Sequence, residues 1–336
     1  MLKISVDAHG GDNGLKTTIP ASINALNNNN NLFLYLVGDE IKITTELEKN
    51  NNFSKIKERI KIIHTTQIIE MDESPIKALR GKKDSSMCIA IKLVKEGVVS
   101  ACVSAGNTGA LMTISRSTLK MIPGISRPAI FGKIPTEKGF THMLDLGADI
   151  NNNPTTLLEF AIMGSTAVQY ECNISKPSIG LLNIGVEEIK GTKEIKEASE
   201  LLKNSELNYV GFIEGDDIYK GAVNVVVTDG FVGNIALKAS EGAVHMMSYY
   251  LKKSFTNNLF SKFIALISKP VLNQFKKTLD HRNYNGASFL GLNGIVIKSH
   301  GSADCYSFEQ AIKTAEIEAT HNLPEKIKNN LNGAKT

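Results

Sequence analysis

The chain has 336 residues, enough for one large α/β domain or two smaller lobes with a sizeable buried core. Its formal net charge is only +4, and 33 of its 38 basic residues are Lys, so the composition disfavours nucleic-acid binding. A mildly basic surface suits an acidic protein partner or anionic lipid, and it equally suits plain exposure to water.

The spacing of the cysteines and the N-terminal sequence exclude further classes of protein. The four cysteines lie far apart, without the paired spacing of a zinc site, so we expect reduced core residues and no metal. The N-terminus lacks the charged and then apolar pattern of a signal sequence, and no apolar run reaches the roughly 18 residues of a spanning helix. We therefore expect a cytoplasmic protein that does not cross the membrane.

Short apolar runs alternate with helical patterns along most of the chain. This alternation predicts an α/β fold with a mainly parallel sheet and helices on both faces. No repeat or Pro/Ser-rich linker divides the chain, so we expect one structural unit over 1–325, in one or two lobes, and a flexible tail over 326–336. The predicted strands are MLKISVD, LFLYLVGD, IKIIH, VVSACVSAG, PAIFGKI, THMLDLGA, PSIGLLNIG, NYVGFIEG, VNVVVTDG and IVIK.

Five of these strands end in Gly combined with Asn, Asp or Ser. The motifs are DAHGGD, VSAGNTGA, DLGAD, LNIG and TDGFVGN. Each alone is also ordinary turn chemistry. Ligands of open α/β sheets bind at the carboxyl ends of the strands, so five such ends predict one shared site.

The first motif lies within VDAHGGDNG, residues 6–14. Glycine lets the backbone approach a ligand closely because it has no side chain. The spacing is neither G-x-G-x-x-G nor a P-loop, which excludes both familiar nucleotide patterns. On the residues alone, a plain turn and an anion-binding loop remain equally open for Asp7, Gly10, Gly11 and Asp12.

The second motif, residues 104–109, precedes a helical pattern. Helix N-termini present free N–H groups that suit phosphate. The alternative is simple N-capping by Asn107 or Thr108. Upstream, the basic run at 80–83 precedes another helix start, and Arg127 carries a guanidinium fork that matches phosphate geometry.

Three later segments add polar groups. A histidine at the end of the last strand can act as an acid or hydrogen-bond donor, or it bonds only to loop carbonyls. No G-x-S-x-G elbow and no nucleophile paired with a base is present. The candidate residues in these segments are Asn183 and Lys190; Asp229, Gly230 and Asn234; and Lys298, His300 and Ser302.

Seven ordered motifs over some 300 residues closely resemble the bacterial acyl-ACP:phosphate acyltransferase family. They are DAHGGD, ALRGKKDSSM, VSAGNTGALM, DLGAD, NIGVEEIKG, VVVTDGFVGNIALKASEG and GIVIKSHGSAD. The resemblance implies a three-layer α/β/α fold like isocitrate and isopropylmalate dehydrogenases, with a protruding helical hairpin, in a homodimer. It also implies that a long-chain acyl carrier protein thioester and inorganic phosphate become acyl phosphate and free carrier, without a cofactor, as the first step of membrane phospholipid synthesis.

The resemblance also implies site residues. We expect catalytic roles for Asn183, Lys190, Asn234 and His300. One hypothesis has Lys82, Arg127 and the amides at 107–109 holding phosphate, while Asn183, Asn234 or His300 faces the carbonyl or sulfur. The full expected substrate-binding set is Asp7, Gly10, Gly11, Asp12, Lys82, Ser104, Asn107, Thr108, Gly109, Arg127, Asp145, Asp229, Gly230, Lys298 and Ser302.

This chain departs from the family pattern at three positions: His9 replaces Met, Asp149 replaces Asn, and Val186 replaces an acidic residue. A carboxylate at 149 would repel phosphate if it pointed inward. His9 and Asp149 are therefore left out of the expected site. The rival activities are a phosphate acetyltransferase acting on short acyl-CoA and a non-catalytic membrane-surface scaffold.

Residues 248–280 break the strand–helix alternation with one long helical stretch. Its apolar residues fall on one half of a helical wheel, and lysines flank it, which suits a helix lying in the lipid headgroup layer. A dimer-interface helix pair is the alternative. We expect Pro270 to break the helix. The expected membrane contacts are Phe260, Phe263, Ile264, Leu266 and Ile267.

Overall fold

The computed structural model describes residues 1–149, 153–278 and 280–333. The strands are β1 (Leu2–Asp7), β2 (Leu32–Gly38), β3 (Ile60–His64), β4 (Ala101–Ser104), β5 (Ala129–Thr136), β6 (Gly139–Leu144), β7 (Ile179–Leu182), β8 (Tyr209–Ile213), β9 (Val225–Val227), β10 (Ala287–Leu290) and β11 (Ile295–Lys298). The helices are α1 (Leu15–Asn28), α2 (Glu40–Glu48), α3 (Phe53–Ile56), α4 (Pro75–Gly81), α5 (Ser86–Lys95), α6 (Thr108–Leu119), α7 (Pro154–Cys172), α8 (Lys193–Lys203), α9 (Asp217–Lys220), α10 (Gly230–Thr256), α11 (Leu259–Ile267), α12 (Lys269–Thr278), α13 (Cys305–His321) and α14 (Leu323–Gly333).

One eleven-stranded sheet runs through the molecule in the order β3-β2-β1-β4-β11-β10-β5-β6-β9-β7-β8. Seven of the ten pairings between the described neighbouring strands are parallel. The other three, in the centre of the sheet, join β10 to β11, β10 to β5, and β5 to β6. The predicted α/β class with a mainly parallel sheet is confirmed.

Helices cover both faces of this sheet. Successive strand residues alternate between the faces. In β4, Val103 joins the core beneath α1 and α13, whereas Cys102 joins the core beneath α4, α5 and α6. On the same side as α1, α7 and α14 cover the other half of the sheet around Phe160. The three-layer α/β/α architecture is confirmed.

The direction of the strands divides the strand ends into two sets. β10 is antiparallel to β11 and to β5, and β6 is antiparallel to β5. The carboxyl ends of β1, β4 and β11 therefore lie at one edge of the sheet, and those of β6, β7 and β9 lie at the opposite edge. The five glycine motifs do not converge at one edge, as the sequence had suggested, because the antiparallel strands reverse the chain direction.

Helices α10 to α12 leave the body of the protein. No described side chain between residues 234 and 275 is buried. The expected long helix is divided at residues 257 and 258, where the side chain of Asn258 caps α11. The predicted interruption at Pro270 is confirmed, since α11 ends at Ile267 and a second helix, α12, begins at Lys269 and contains VLNQFKK. Pro270 lies in the first turn of α12, where a missing N–H removes no helical hydrogen bond.

The C-terminal segment also differs from the expectation of a flexible tail over 326–336. Residues up to 333 form α14, and Ile327 and Leu331 are buried in the core beside α7. Residues 334–336 lie outside the described part of the chain. Among the helices that the structure describes, none is long and apolar enough to cross a membrane.

Candidate active site

The first strand-end group comprises the loops that follow β1, β4 and β11. Asp7, the last residue of β1, is almost completely buried between these loops. Its carboxylate accepts hydrogen bonds from the hydroxyl groups of Ser86 at 2.6 Å and Ser104 at 2.7 Å. Burial raises the pKa of Asp7, and the two hydroxyl groups oppose that rise. Asp7 therefore links the end of β1 to the end of β4 and to the start of α5.

Glycine is required where these loops touch. A Cβ atom on Gly10 would lie 2.7 Å from a carboxylate oxygen of Asp7 and 2.9 Å from the backbone N of Gly106. Gly11 has φ of +89°, which disfavours other residues. The backbone N–H of Asp12 donates to the carbonyl of Gly301 at 2.9 Å. The turn is present, and these glycines let the loops that follow β1, β4 and β11 pack closely against one another, whereas anion binding by this loop stays a prediction.

Lys298 is a buried cation in this group. It ends β11, and its ammonium donates to the carbonyls of Ala105, at 3.3 Å, and Ser299. Burial lowers the pKa of Lys298 to about 8, although the nearby carboxylates of Asp12 and Asp7 work in the opposite direction. A lysine with such a pKa carries a positive charge at neutral pH and releases its proton more readily than a surface lysine.

Helix α6 begins within the first strand-end group. Asn107 caps it by accepting the N–H of Ala110 at 2.9 Å. The same side chain donates to the carbonyls of Met71, at 2.7 Å, and Glu73, at 3.0 Å. The capping alternative for Asn107 is therefore present. The N–H groups of the first helical turn, which includes Thr108 and Gly109, have no acceptor within the helix and remain suited to an anion.

Two other predicted residues lie at the margin of this group. Lys82 forms an ion pair with Glu73 at 2.6 Å and donates to the carbonyl of Ile68 at 2.6 Å. His300 is exposed, and its Nδ1 lies 2.9 Å from the hydroxyl of Ser302. The structure thus uses Lys82 to hold the loop at 68–73, and it places His300 at the solvent-facing rim.

The second strand-end group comprises the loops that follow β6, β7 and β9. Asp145 is buried and accepts backbone N–H groups of Ile130, Gly147 and Ala148, among others. Burial raises the pKa of Asp145, and these N–H groups lower it. Asp145 therefore shapes the 145–149 loop, as Asp7 shapes the first group.

Helix α10 packs against that loop. Asp229 caps α10 by accepting the N–H of Val232 at 2.9 Å, and the N–H of Gly230 donates to the carbonyl of Asp149 at 3.1 Å. Asn234 lies against Gly147, where a Cβ atom on the glycine would be 3.3 Å from that of Asn234. The predicted residues Asp145, Asp229, Gly230 and Asn234 are thus close together.

The charged residues of the second strand-end group are paired. Arg127 contacts the carboxylate of Asp149 at 2.8 Å. Lys190 contacts Glu187 at 2.8 Å, and this hydrogen bond raises the pKa of Lys190. Asn183 donates to the carbonyls of Gly185 and Lys190, so its amide closes the 183–190 loop.

The departures from the family pattern have structural explanations at two positions. His9 Nε2 accepts the N–H of Asp39 at 3.0 Å, in space that Gly38 leaves open. Burial lowers the pKa of His9, which keeps the ring a neutral acceptor. The carboxylate of Asp149 is paired with the guanidinium of Arg127. The structure offers no account of Val186, which is exposed.

A pocket of about 530 Å³ lies beside α6, with Asp149 in its wall. Helix α6 is about 18 Å long at 1.5 Å per residue, and it leads from the first strand-end group to this pocket. A single phosphate cannot contact both the start of α6 and the Arg127–Asp149 pair in this conformation. The sequence analysis did not select Ser86, Arg116 or Lys120 as site residues. Arginine is rare in this chain, so Arg116 could have been selected on the same ground as Arg127.

Comparison with known proteins identifies the family. The family model described as "Fatty acid synthesis protein" matches residues 2–326. The chain belongs to this family.

Among the residues that the structure describes, no group of three or more His, Cys, Asp or Glu side chains could hold a metal ion.

Curated relatives of this fatty acid synthesis family cover nearly the whole chain. A protein of Ruthia magnifica subsp. Calyptogena magnifica named phosphate acyltransferase is 59% identical over 328 residues, which are 97% of this chain and 96% of the relative. A protein of the same name from Hydrogenovibrio crunogenus is 53% identical over 97% of this chain and 96% of its own.

Solved structures share the fold. A phosphotransacetylase from Streptococcus pyogenes has a TM-score of 0.63 at 16% identity and covers 95% of this chain and 94% of its own. The EutD phosphotransacetylase from Staphylococcus aureus has a TM-score of 0.58 at 16% identity, with 94% of both chains covered. At this identity the likeness concerns the fold alone.

Proposed function

We propose that the protein transfers the acyl group of a long-chain acyl carrier protein thioester to inorganic phosphate. The products are acyl phosphate and the free carrier thiol. Relatives named phosphate acyltransferase, matched over nearly the whole chain, support this activity. The structural observation that carries it is the first strand-end group, where the buried ammonium of Lys298 contacts the loop leading into the N-terminus of α6.

The reaction exchanges one activated acyl bond for another. A phosphate oxygen attacks the carbonyl carbon, the carbon–sulfur bond breaks with its electron pair leaving on sulfur, and the thiolate takes up a proton. Phosphate itself is the nucleophile, and a thiolate is a tolerable leaving group because thiol pKa values lie near about 8.5. The protein must position the reactants and stabilise developing charge, and it needs no covalent nucleophile.

We place inorganic phosphate in the first strand-end group. The first-turn N–H groups of Thr108 and Gly109 and the ammonium of Lys298 supply donors and positive charge. Burial lowers the pKa of Lys298 to about 8, so the group is mostly protonated at pH 7 and can pass a proton to the departing sulfur. His300, at the rim, is the second candidate for this proton transfer.

Residues of the second strand-end group then serve the thioester substrate. Asn183, Lys190 and Asn234 follow strands that end at the other edge of the sheet, so we assign them to the thioester and not to phosphate. Kinetics of His300→Ala and Asn234→Ala test both assignments. Near-normal acyl-phosphate formation by both folded variants would remove these two residues from the mechanism.

One assay tests the activity itself. The protein is incubated with phosphate and either palmitoyl carrier protein or acetyl-CoA, and free thiol is followed. Thiol released from the long-chain carrier substrate alone supports the proposal. Thiol from acetyl-CoA alone indicates a phosphate acetyltransferase, and no thiol from either indicates a non-catalytic protein.

An acidic carrier protein requires a basic entrance. The sequence suggests Lys82, Lys83 and Lys190 for this role, but Lys82 and Lys190 each pair with a neighbouring Glu. These pairs leave a weaker positive field, which salt screens easily. We expect the KM for the carrier thioester to rise with ionic strength, because electrostatic steering weakens. A KM that stays constant from low to high salt contradicts this partner assignment.

We further propose peripheral contact with the cytoplasmic face of the membrane through α11, and a homodimer through α10. Six large apolar side chains of α11 are exposed, with Phe260 at 72% and Leu266 at 68%. Lys262 lies within α11 and Lys269 is the first residue of α12, which suits anionic headgroups. The exposed side of α10 carries Met246, Met247, Tyr249 and Tyr250, which suit a partner subunit.

Phe263→Asp with Leu266→Asp separates the two surfaces. We expect the double variant to lose sedimentation with anionic liposomes while it keeps transfer activity and dimer size. Lys262→Gln alone is the control for charge and reduces liposome binding only partly. Unchanged sedimentation of the double variant contradicts membrane contact, and dissociation to monomers assigns α11 to the dimer.

A further inference from the structure

The pocket beside α6 has an apolar floor and a basic rim. Leu79, Met112, Met121, Pro128 and Ala148 supply the apolar surface. Thr113, Ser117, Arg116 and Lys120, all from α6 or its C-terminal cap, supply the polar side together with Asp149, whose carboxylate is paired with Arg127. Its volume of about 530 Å³ lies in the range of small-molecule sites.

The two cations of this rim differ from the other basic candidates. Lys82, Lys190 and Arg127 each form an ion pair. Within the part of the chain that the structure describes, neither Arg116 nor Lys120 forms a salt bridge, and both side chains are exposed. Two cations at the end of an apolar pocket fit a ligand with an anionic head and a less polar body.

The distance between the two anion-binding places is set by α6. At 1.5 Å per residue, Arg116 and Lys120 lie about 12 and about 18 Å along the helix from Thr108. The phosphopantetheine arm of acyl carrier protein and of CoA separates its phosphate from its sulfur by about 13 bonds. Extended chain spans about 3.3–3.6 Å for every three such bonds, so the arm reaches roughly 15 Å.

We infer that this pocket binds the phosphopantetheine arm of the thioester substrate, with the arm's phosphate on Arg116 and Lys120 and its sulfur near the start of α6. The inference rests on the proposed function, because the sulfur must meet phosphate in the first strand-end group. The apolar floor contacts the gem-dimethyl and methylene groups, and the hydroxyls of Thr113 and Ser117 face the arm's amides. The acyl chain then continues beyond the sulfur, away from the rim.

Substrates that differ only in the arm's phosphate test the charge assignment. Wild type, Arg116→Gln with Lys120→Gln, and the control Lys92→Gln are compared on palmitoyl-phosphopantetheine and palmitoyl-pantetheine. Lys92 is an exposed lysine of the adjacent helix α5, outside the pocket. We expect the double variant to raise the KM for the phosphorylated thioester about tenfold or more, with the KM for palmitoyl-pantetheine and for inorganic phosphate unchanged. Equal KM changes on both thioesters, or none, overturn the inference.

A steric variant gives an independent test. Ser117→Trp fills the pocket from an exposed position, and we expect it to raise the KM for both thioesters while the KM for phosphate stays the same. Lys92→Trp, which adds the same bulk on α5 outside the pocket, is the matched control and keeps both values. A KM for the thioesters that is unaffected by Ser117→Trp overturns the inference.

A comparison of palmitoyl-CoA with palmitoyl carrier protein shows which of the two molecules supplies the phosphopantetheine arm. A raised KM of the double charge variant for the carrier substrate supports the inference, and an effect on palmitoyl-CoA alone contradicts it. If wild type releases no thiol from any thioester, the proposed function fails. If wild type is active and the variants match it, the pocket assignment alone fails.

Discussion

The two strand-end groups are built from the same residue types and differ in burial. Each has a buried aspartate that accepts several hydrogen bonds, Asp7 in the first group and Asp145 in the second. The lysines differ more. Lys298 is buried without a carboxylate in contact, whereas the side chain of Lys190 is 42% exposed and contacts Glu187 at 2.8 Å.

This difference in burial has an energetic consequence. Removing an ammonium from water disfavours its charged form, and burial lowers the pKa of Lys298 to about 8 for this reason. An exposed pair such as Lys190 with Glu187 is screened by water and contributes little to stability. The first group therefore holds an unfavourable charge that an incoming phosphate would stabilise, and the second group has already neutralised its charges.

Replacing Lys298 by Met gives the largest expected change in this comparison. Loss of one charged donor at the transition state reduces turnover by about 10²- to 10³-fold. At pH 7 the free energy of unfolding rises by about 1 to 2 kcal/mol, because the charge-burial penalty of about 3 kcal/mol exceeds the two lost hydrogen bonds. Acyl-phosphate assays and urea unfolding measure the two effects.

Burial of Lys298 also makes the stability of the protein depend on pH. The pKa of Lys298 is lowered to about 8 in the folded protein, from 10.5 ordinarily, so between these values the unfolded chain binds the extra proton. Wild-type stability therefore gains from this group as pH rises through that window, and the advantage of Lys298→Met shrinks there. A variant that is less stable at pH 7, or an advantage that grows with pH, contradicts this account.

Replacing Asp7 by Ala is expected to have the next largest effect. It leaves the hydroxyl groups of Ser86 and Ser104 without their buried acceptor and removes the link between the end of β1, the end of β4 and the start of α5. Hydrogen bonds to charged groups contribute about 1.5–3 kcal/mol each, so we expect a loss of about 3 kcal/mol in the free energy of unfolding. Asp229→Ala, at an exposed helix cap, is the control and loses about 1 kcal/mol. Equal losses of unfolding free energy in the two variants would contradict the proposed difference in burial between the two strand-end groups.

Asp149→Asn tests the neutralised charges of the second strand-end group. The variant removes the carboxylate that contacts Arg127 at 2.8 Å and restores the residue type of the family pattern. Since Asp149 also lines the pocket beside α6, its negative charge opposes an anionic substrate there. We expect the KM for the carrier thioester to fall about threefold, with the KM for inorganic phosphate unchanged. A lower KM for phosphate instead would place phosphate at Arg127.

The sequence predicted the layers of the fold and the residue types of the site better than their arrangement. Alternating apolar runs identified most strands, but β10 was missed because its four residues give little periodicity. That strand and the β5–β6 hairpin reverse the chain direction, which places DLGAD and TDGFVGN at the edge opposite DAHGGD. Local motifs cannot report such a reversal, since it depends on pairing between distant strands.

Contacts between residues that are distant in the sequence could not be predicted from it either. Lys298 was a candidate, yet nothing in IVIKSHG indicates that its ammonium is buried. Arg127 and Asp149 are 22 positions apart, and their ion pair depends on the loop that Asp145 shapes. Capping of α6 by Asn107 was foreseen because it needs only neighbouring residues.

Lys190→Met gives the smallest expected effect on stability and sharpens the comparison with Lys298→Met. Both variants remove one ammonium group near the carboxyl end of a strand. The ammonium of Lys190 is partly exposed, and its hydrogen bond to Glu187 raises the pKa of Lys190. In the folded protein this group binds its proton more tightly than in the unfolded chain. Any stability it contributes is present below its ordinary pKa of 10.5 and is lost at higher pH. Water screens the pair, so we expect the urea midpoint at pH 7 to stay within experimental error of wild type.

The KM for the carrier thioester should change more than the KM for phosphate in Lys190→Met, because Lys190 lies in the second strand-end group. A large loss of stability in Lys190→Met would mean that exposure does not separate the two lysines, and a selective loss of phosphate affinity would move phosphate to the second group.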